Sequence, residues 1–238
     1  MKYDTIFISD LHLGGPCDYV ALLNFLRDND ADRWYLVGDT IDIWAIKYSR
    51  KWPNEASLIV QKFLRKARKG QEIILLPGNH DSELRSLELF EFGNIRIVES
   101  AIHKVGNKRY LILHGDALDA VINNAKWLAK IGAIAYDLLI RVNQVMNWFR
   151  SLVGLPYWSV SAAIKRAVKS AVNYISGFEG ALVQLAKQRE VDGIICGHIH
   201  TPAVKQIDGI MYLNCGDWVE SRSALVEKDG EIRMVYGK

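Results

Sequence analysis

The sequence predicts an α/β protein in which helices cover a parallel sheet, with a largely helical segment inserted into it. Three observations support this fold class. Apolar runs of strand length alternate with helical patterns in the first part of the chain, residues 117–188 are mostly helical in pattern, and short strands joined by turn residues follow. Half of the 238 residues are hydrophobic, so the chain can bury one sizeable core. We therefore expect one domain, residues 1–238, with a helical insertion at about 117–188.

Strands and helices alternate from the N-terminus to Leu113. The clearest helix has Leu58, Phe63 and Ala67 near the 3.6-residue spacing of a buried helix face. Parallel strands need long crossovers, and the intervening helices supply them. The expected strands are Thr5–Ser9, Trp34–Val37, Glu72–Leu76, Ile95–Val98, Ala101–Val105 and Arg109–Leu113, and the expected helices are Tyr19–Asn29 and Asn54–Lys69.

The second half of the chain is helical first and then returns to strands. The insertion has expected breaks at Gly154-Leu155-Pro156 and at Gly177. Asp-Gly pairs and Gly106-Asn107 predict hairpin turns. The hairpin pairs of this region are Asp208-Gly209 and Asp229-Gly230, and the expected strands are Gly193–Cys196, Ala203–Gln206, Met211–Asn214, Ser223–Val226 and Ile232–Val235.

The composition of the chain indicates which cellular compartment and which classes of partner to expect. A net charge of +3 is mild, and no nucleic-acid partner is expected from it. The three cysteines, Cys17, Cys196 and Cys215, lack the spacing of a disulfide framework and indicate free thiols in a reducing compartment. The N-terminus is too short and polar for a signal peptide, and no apolar run reaches the roughly 18–20 residues of a membrane span. We therefore expect a cytoplasmic protein.

Five short blocks each place metal-binding residue types at the end of a hydrophobic run. Five of the six histidines lie in them. Mixed oxygen and imidazole ligands without thiolate suit Mn²⁺, Fe or Zn²⁺, and Mg²⁺ less well. The blocks are Asp10-Leu11-His12, Gly38-Asp39-Thr40-Ile41-Asp42, Gly78-Asn79-His80-Asp81, His114-Gly115-Asp116 and Gly197-His198-Ile199-His200.

The spacing within the blocks indicates a pair of metal ions. Asp39 follows a strand and a glycine, where its carboxylate could reach both ions. Asp10 and His12 are two residues apart, so an extended backbone would point both side chains the same way, and His198 and His200 share this parity. Two divalent cations roughly 3.5–4 Å apart bind substrate oxygens and activate water, which suits hydrolysis at phosphorus.

Taken in this order, the five blocks resemble the calcineurin-like metallophosphoesterase family. The resemblance implies a four-layer α/β/β/α sandwich with two divalent ions, Mn²⁺ first among the candidates, at the C-terminal ends of strands. It also implies that His80 lies over the substrate phosphate and that Asp81 orients His80. The implied ligands of one ion are Asp10, His12, Asp39 and His200, and those of the other are Asp39, Asn79, His114 and His198.

Within that family the chain looks most like the UDP-2,3-diacylglucosamine hydrolases of lipid A synthesis. The cues are its length, Leu36-Val37-Gly38-Asp39, the insert between His114 and His198, and the ending Asn214-Cys215-Gly216-Asp217-Trp218. This resemblance implies cleavage of the pyrophosphate of a lipid-linked nucleotide sugar to a lipid monophosphate and UMP. One residue departs from the pattern, because the best-known enzymes of the group have arginine where this chain has His80.

The insert carries many aromatic and basic residues, and two interpretations stay open. It could be a structural cap, or a lid that holds an acyl chain on its apolar side and phosphate on its basic side. Lys165, Lys169 and Asn173 are four residues apart and would share a helix face, which could hold an anionic head group. Such a surface also suits peripheral contact with the inner face of the cytoplasmic membrane.

Two further candidate functions and several residue roles also stay open from the sequence. A phosphodiesterase or phosphatase for soluble nucleotides would fit His80, and a binding scaffold without chemistry is the third candidate. Asp42 and Asp116 could orient ligands or cap helices, and His103 is expected on a strand face. Asn214, Asp217 and Trp218 suit loop packing or substrate contact. The oligomeric state is undetermined at this level.

Overall fold

The computed structural model describes residues 1–118 and 161–237; within 161–173 it describes the backbone and the side chain of Val172 alone. The chain divides into two compact units, one of residues 1–116 with 182–238 and the other of residues 117–181. The expected organisation, one domain with an insertion at about 117–188, stays a prediction. No helix within the described ranges is long and apolar enough to cross a membrane.

Twelve strands and four α-helices are found in the described ranges. The strands are β1 Lys2–Ile8, β2 Asp30–Val37, β3 Glu72–Leu76, β4 Glu91–Phe92, β5 Ile95–Ile97, β6 Ala101–Val105, β7 Lys108–Ile112, β8 Gly193–Cys196, β9 Ala203–Ile207, β10 Ile210–Asn214, β11 Ser223–Lys228 and β12 Glu231–Tyr236. The helices are α1 Tyr19–Asp28, α2 Ile43–Ser49, α3 Asn54–Arg68 and α4 Ser161–Gln188, and 3₁₀ helices cover Ser82–Leu87 and Asp116–Leu118.

The strands form two sheets. The larger has the order β12-β11-β1-β2-β3-β5-β4, and the smaller has the order β6-β7-β8-β10-β9. Strands β1, β2, β3 and β5 are parallel, as are β7, β8 and β10, whereas the flanking strands pair antiparallel. Because parallel strands end at the same edge of their sheet, the loops after them gather there.

Alternation along β1 shows how the layers pack. Ile6 and Ile8 belong to the core shared with α1 and α3, whereas Phe7 between them belongs to the core between the two sheets. Successive side chains of a strand point to opposite faces, so one strand serves both cores. The α/β fold class is therefore confirmed, with helices on one face of the larger sheet and the smaller sheet on the other. The fourth layer of the expected sandwich stays a prediction.

Most expected elements are present, and the differences have local causes. The turns at Gly106-Asn107, Asp208-Gly209 and Asp229-Gly230 each connect an antiparallel pair. Asp208 and Gly209 have φ of 48° and 85°, as a two-residue hairpin turn requires. The predicted break at Gly177 is wrong, because α4 runs through it, and a helix-interior glycine costs only about 1 kcal/mol. The predicted break at residues 154–156 lies outside the described residues.

A buried histidine and a buried glutamate join the two sheets. His103 of β6 lies on a strand face as predicted, and its Nε2 donates to Oε2 of Glu227 on β11 at 2.7 Å. Phe7 and Tyr35 pack against the imidazole, with ring centroids 5.2 and 5.5 Å away. Burial alone would raise the pKa of Glu227, but hydrogen bonds from His103 and Thr5 hold that pKa below its ordinary value of 4.5.

Replacement of Glu227 by alanine should lower the free energy of unfolding by about 2 kcal/mol, because buried His103 then loses its acceptor. The double variant His103→Leu/Glu227→Leu should recover part of this loss, since no polar atom is then stranded. Urea unfolding measures both. In the wild type, the contribution of Glu227 to the free energy of unfolding should be complete above pH 4.5 and should decrease as the pH falls below it. The reason is that the pKa of Glu227 is lower in the folded protein than in the unfolded chain. Equal stabilities of the wild type and Glu227→Ala at pH 7 would contradict this role.

Candidate metal centre

The predicted ligands converge where parallel strands end. Loops after β1, β2, β3, β7 and β8 each supply part of the cluster. Two groups match the predicted sets, with ligand atoms within 4.8 Å of one another: Asp10 with His12 and His200, and Asp39 with His114 and His198. Oδ2 of Asp39 also lies 4.0 Å from Nε2 of His12, so one carboxylate faces both groups.

A third group combines His12, Asp39 and His80. Asn79 directly precedes His80, and its side-chain oxygen is buried without a hydrogen-bond partner among the described residues. It follows Gly78, which lies against Asp39 and His114. The fold therefore brings together every residue that the family resemblance implied as a ligand near one shared aspartate.

The backbone at these ligands is strained. Asp10, His12, Asp39, His198 and His200 all have positive φ, between 47° and 74°. Non-glycine residues rarely adopt this conformation, and each instance costs roughly 1–3 kcal/mol. The predicted extended backbone at Asp10 and His12 is therefore wrong. Left-handed turns after β1 and β8, and not strand parity, bring the side chains of Asp10 and His12 to those of His198 and His200.

Three glycines permit the close approach of these loops. A Cβ atom at Gly38, which has φ of 85°, would lie 2.1 Å from Nδ1 of His114. At Gly78 it would lie 2.2 Å from Oδ1 of Asp39, and at Gly197 it would lie 2.5 Å from Oδ2 of Asp10. These three glycines are thus required by close contact with the candidate ligands.

The orphaned polar atoms fit a pair of cations. Among the described residues, Oδ1 of Asp10, Oδ1 of Asn79 and Nε2 of His114 are buried without a hydrogen-bond partner. Asp10 Oδ1 lies 3.2 Å from Nε2 of His200, and Asp39 Oδ2 lies 3.3 Å from Nε2 of His114. Ligands about 2.1 Å from one octahedral ion lie about 3.0 Å apart, so these separations suit a shared divalent ion.

Electrostatics in the cluster favour a cation. Burial lowers the pKa of His114, but the carboxylates of Asp39 and Asp10 outweigh burial and raise that pKa to about 10. Burial likewise raises the pKa of Asp39, yet His114 and the backbone N–H of His80 hold it well below its usual range. His114 Nδ1 donates to the carbonyl of Val37 at 2.9 Å, which aims Nε2 at Asp39. A divalent ion and a proton would compete for that nitrogen.

His80 lies beside the cluster and is positioned by Asp42. Its Nδ1 is 3.0 Å from Oδ1 of Asp42, and the same oxygen accepts from the N–H of Ala45 to cap α2. Asp42 therefore both orients His80 and caps a helix. The indole of Trp44 packs on the imidazole of His80 at 4.2 Å between centroids. Trp44 had no sequence signal, because it lies outside every block and its contact depends on the bend before α2.

Asp81 is placed differently from the prediction that it orients His80. Its carboxylate accepts from the backbone N–H groups of Gly78, Thr40 and Ile41. Those bonds tie the loop after β3 to the loop after β2, whereas the hydrogen bond to the His80 ring comes from Asp42. The prediction chose the sequence neighbour, but a neighbouring side chain in a tight turn faces the backbone it closes.

Three further residues near the C-terminus support the ligand loops. Asn214 donates to the carbonyl of Gly197 at 2.9 Å, and the N–H of buried Trp218 donates to the carbonyl of Asp10 at 3.1 Å. The carboxylate of Asp217 accepts from the N–H groups of Val219 and Glu220. These contacts agree with a loop-packing role for all three.

Asp116 has a structural contact, and the side chains of the expected substrate residues are outside the described part of the chain. Asp116 pairs with Arg85 at 2.8 Å, so it anchors the 3₁₀ helix Ser82–Leu87. The backbones of Lys165, Lys169 and Asn173 lie in α4, but their side chains, like the aromatic residues of 119–160, lie outside the described residues. Cys17, Cys196 and Cys215 form no disulfide with one another.

A centre of this kind on an α/β fold of two sheets defines a class, the metal-dependent hydrolases of phosphate esters and anhydrides. Residues 4–202 match the model of the calcineurin-like phosphoesterases, and the chain belongs to that family. The hydrolase class expected from the sequence is thereby confirmed.

Relatives agree with this assignment, and one solved structure shares the fold. The chain is 27% identical to the UDP-2,3-diacylglucosamine hydrolase of Aeromonas salmonicida strain A449, over 97% of this chain and 92% of that protein. It is 24% identical to the enzyme of the same name from Photorhabdus laumondii, over 97% and 98% of the two chains. A hypothetical protein from Pyrococcus horikoshii OT3 shares the fold, with a TM-score of 0.52 at 8% identity over 100% of this chain and 88% of that one.

Replacement of Gly38 by alanine should weaken Mn²⁺ binding by about tenfold or more, because the new Cβ would displace His114. Isothermal titration of the metal-free protein measures this. Gly106→Ala is the matched control: Gly106 also has positive φ, 58°, but no atom of the described residues lies within 4 Å of the place its methyl group would take. If both variants bind Mn²⁺ as the wild type does, close approach at Gly38 is not required for the centre.

Proposed function

We propose that the protein cleaves the pyrophosphate of UDP-2,3-diacylglucosamine, a lipid-linked nucleotide sugar, to a lipid monophosphate and UMP in lipid A synthesis. Hydrolysis at phosphorus is supported by one observation: Asp39 belongs to one group of candidate ligands, and its Oδ2 lies 4.0 Å from His12 of the other. The lipid-linked substrate is supported by relatives named UDP-2,3-diacylglucosamine hydrolase that align with nearly the whole chain.

The proposed ligands follow the two convergent groups. Asp10, His12 and His200 would hold one ion with Asp39, and His114, His198 and Asn79 would hold the other with the same carboxylate. Mn²⁺ is the first candidate, followed by Fe, Zn²⁺ and Mg²⁺. When bound, the ions would neutralise phosphate oxygens and lower the pKa of water at the centre.

His80 is proposed to act on the leaving oxygen of the substrate. Asp42 accepts at its Nδ1, so Nε2 is the ring atom left for a substrate oxygen, and the side chain is 24% exposed in an otherwise buried cluster. A proton held at Nε2 could stabilise the developing charge or protonate the departing group. Asp42 and Trp44 keep the ring in place from two sides, and Asp81 closes the loop that carries it.

The helical insertion is proposed to serve the lipid part of the substrate. Lys165, Lys169 and Asn173 would bind an anionic head group, and the insertion would also contact the inner face of the cytoplasmic membrane. This proposal rests on the residue types of the insertion, because its described part is the backbone of α4 with few side chains.

A phosphodiesterase or phosphatase for soluble nucleotides is the second candidate. One observation favours it: His80 stands where the best-known lipid-linked enzymes have arginine. A histidine held by Asp42 would serve any phosphoester with a poor leaving group, whatever that group is.

Replacement of Asp39 by asparagine should reduce hydrolysis of bis(4-nitrophenyl) phosphate in Mn²⁺ by at least about 100-fold, because both ions would lose their shared charge. Release of nitrophenolate measures this. Asp208→Asn, on the exposed hairpin between β9 and β10, is the control and should retain full activity. Turnover of Asp39→Asn at the wild-type rate would exclude a centre that depends on this carboxylate.

The substrate is tested by comparing UDP-2,3-diacylglucosamine with cyclic nucleotides and with UDP-N-acetylglucosamine, in Mn²⁺. We expect UMP release from the lipid substrate with a kcat/KM at least about tenfold above that for the others, because acyl chains add apolar binding surface. Chromatography of the nucleoside monophosphate released from each substrate provides the measurement. Equal rates for the lipid-linked and acyl-free substrates would favour the second candidate.

A further inference from the structure

The segment of residues 43–52, here called the α2 rim, exposes three large aromatic side chains beside the metal centre. The helix α2 has no buried residue. Tyr48 is 94% exposed, Trp44 51% and Trp52 39%. Trp44 and Tyr48 are four residues apart on one helix, so they share a face. Exposed aromatic side chains of this kind mark a surface that contacts a partner.

The charge of the α2 rim is positive. Lys47, Arg50 and Lys51 lie within it, and the segment has no Asp or Glu. Lys47 is paired with Glu83 of the neighbouring 3₁₀ helix, which leaves the charges of exposed Arg50 and Lys51 in excess. The α2 rim therefore combines aromatic rings with cationic groups, the composition that proteins place at the boundary of an anionic bilayer.

Two other exposed regions lack this combination. The segment around β4 exposes Leu89, Phe90 and Phe92, but Glu88 and Glu91 lie among them, so an anionic surface would repel it. The basic end of α3 exposes Arg65 and Lys69 without an aromatic residue next to them. Of these three regions, only the α2 rim combines exposed aromatic side chains with an excess of positive charge.

The α2 rim is attached directly to the reacting end of the site. Asp42 caps α2 and holds His80 with the same oxygen, and Trp44 packs on the His80 ring. A membrane that accepted Tyr48 and Trp52 would therefore lie within one short helix of the metal centre. A lipid-linked substrate could then present its phosphates to the centre while its chains stay in the bilayer.

We propose that the α2 rim docks on the surface of an anionic lipid bilayer; its purpose rests on the lipid-linked substrate proposed above. The aromatic rings would lie at head-group depth, and Arg50 and Lys51 would bind lipid phosphates. The residues of this surface, 43–52, belong to the unit formed by residues 1–116 and 182–238.

The first test is cosedimentation of the full-length protein with vesicles of phosphatidylglycerol and phosphatidylcholine in equal parts. The variant Tyr48→Ser/Arg50→Glu/Lys51→Glu should bind these vesicles about tenfold or more weakly than the wild type, since each basic residue at the surface adds attraction. Its hydrolysis of bis(4-nitrophenyl) phosphate should be unchanged. The matched control, Arg65→Glu/Lys69→Glu/Phe92→Ser, makes the same kinds of change elsewhere and should bind as the wild type does. Equal loss in both variants, or in neither, overturns the proposal.

The second test reports the position of residue 48 without depending on a loss of binding. In the variant Cys17→Ser/Tyr48→Cys, an environment-sensitive fluorophore would label residue 48, because Cys196 and Cys215 are buried. Its emission should shift to shorter wavelength on the anionic vesicles and stay unchanged on phosphatidylcholine alone. The same label in Cys17→Ser/Phe92→Cys should not respond. A label at 48 that stays in water while the protein is bound overturns the proposal and points to a protein partner for this surface.

Neither vesicle measurement includes the lipid-linked substrate, so the two measurements separate docking from catalysis. A protein that docks through the α2 rim but cleaves only soluble nucleotides would uphold the docking surface and refute the lipid-linked substrate. A protein that cleaves the lipid-linked substrate but fails both vesicle tests would refute the docking surface alone.

Discussion

The buried charge of Asp39 is the constraint on which the rest of the site depends. Its carboxylate accepts the N–H of His80 and faces the imidazoles of His114 and His12. Its backbone carbonyl accepts the N–H of His12, so the same residue also joins the loops after β1 and β2. A carboxylate buried in this way is tolerable only with positive partners around it. The loops that end four different strands are arranged to provide them.

That arrangement requires backbone conformations that the chain would otherwise avoid. Five ligand residues have positive φ, and glycines at 38, 78 and 197 leave no room for a methyl group. The two cores on either face of the larger sheet stabilise the strands from which these loops leave. Strain concentrated at one edge of the sheet is therefore carried by packing elsewhere in the same layers.

The candidate ligand residues could be recognised in the sequence because each block follows an apolar run of strand length, and their role as metal ligands stays a prediction. Local partners were harder to predict. Asp42 and Asp81 are both acids in the expected blocks, yet Asp42 holds His80 and Asp81 holds backbone N–H groups. Which acid takes which role depends on how the loops after β2 and β3 meet, and these loops lie far apart in the chain. Trp44 was missed for the same reason.

The sequence by itself determined the order of most strands and helices, the hairpin turns and the residues that can bind metal, because these depend on residue type and on spacing along the chain. The short strand β4 and the helix α2 were not among the predicted elements. Only the tertiary structure decided how the ligands converge, that left-handed turns and not strand parity bring them together, and that an aromatic, basic helix lies beside His80. Contacts between loops from separate strands make those choices, and such contacts leave no periodic pattern in a sequence.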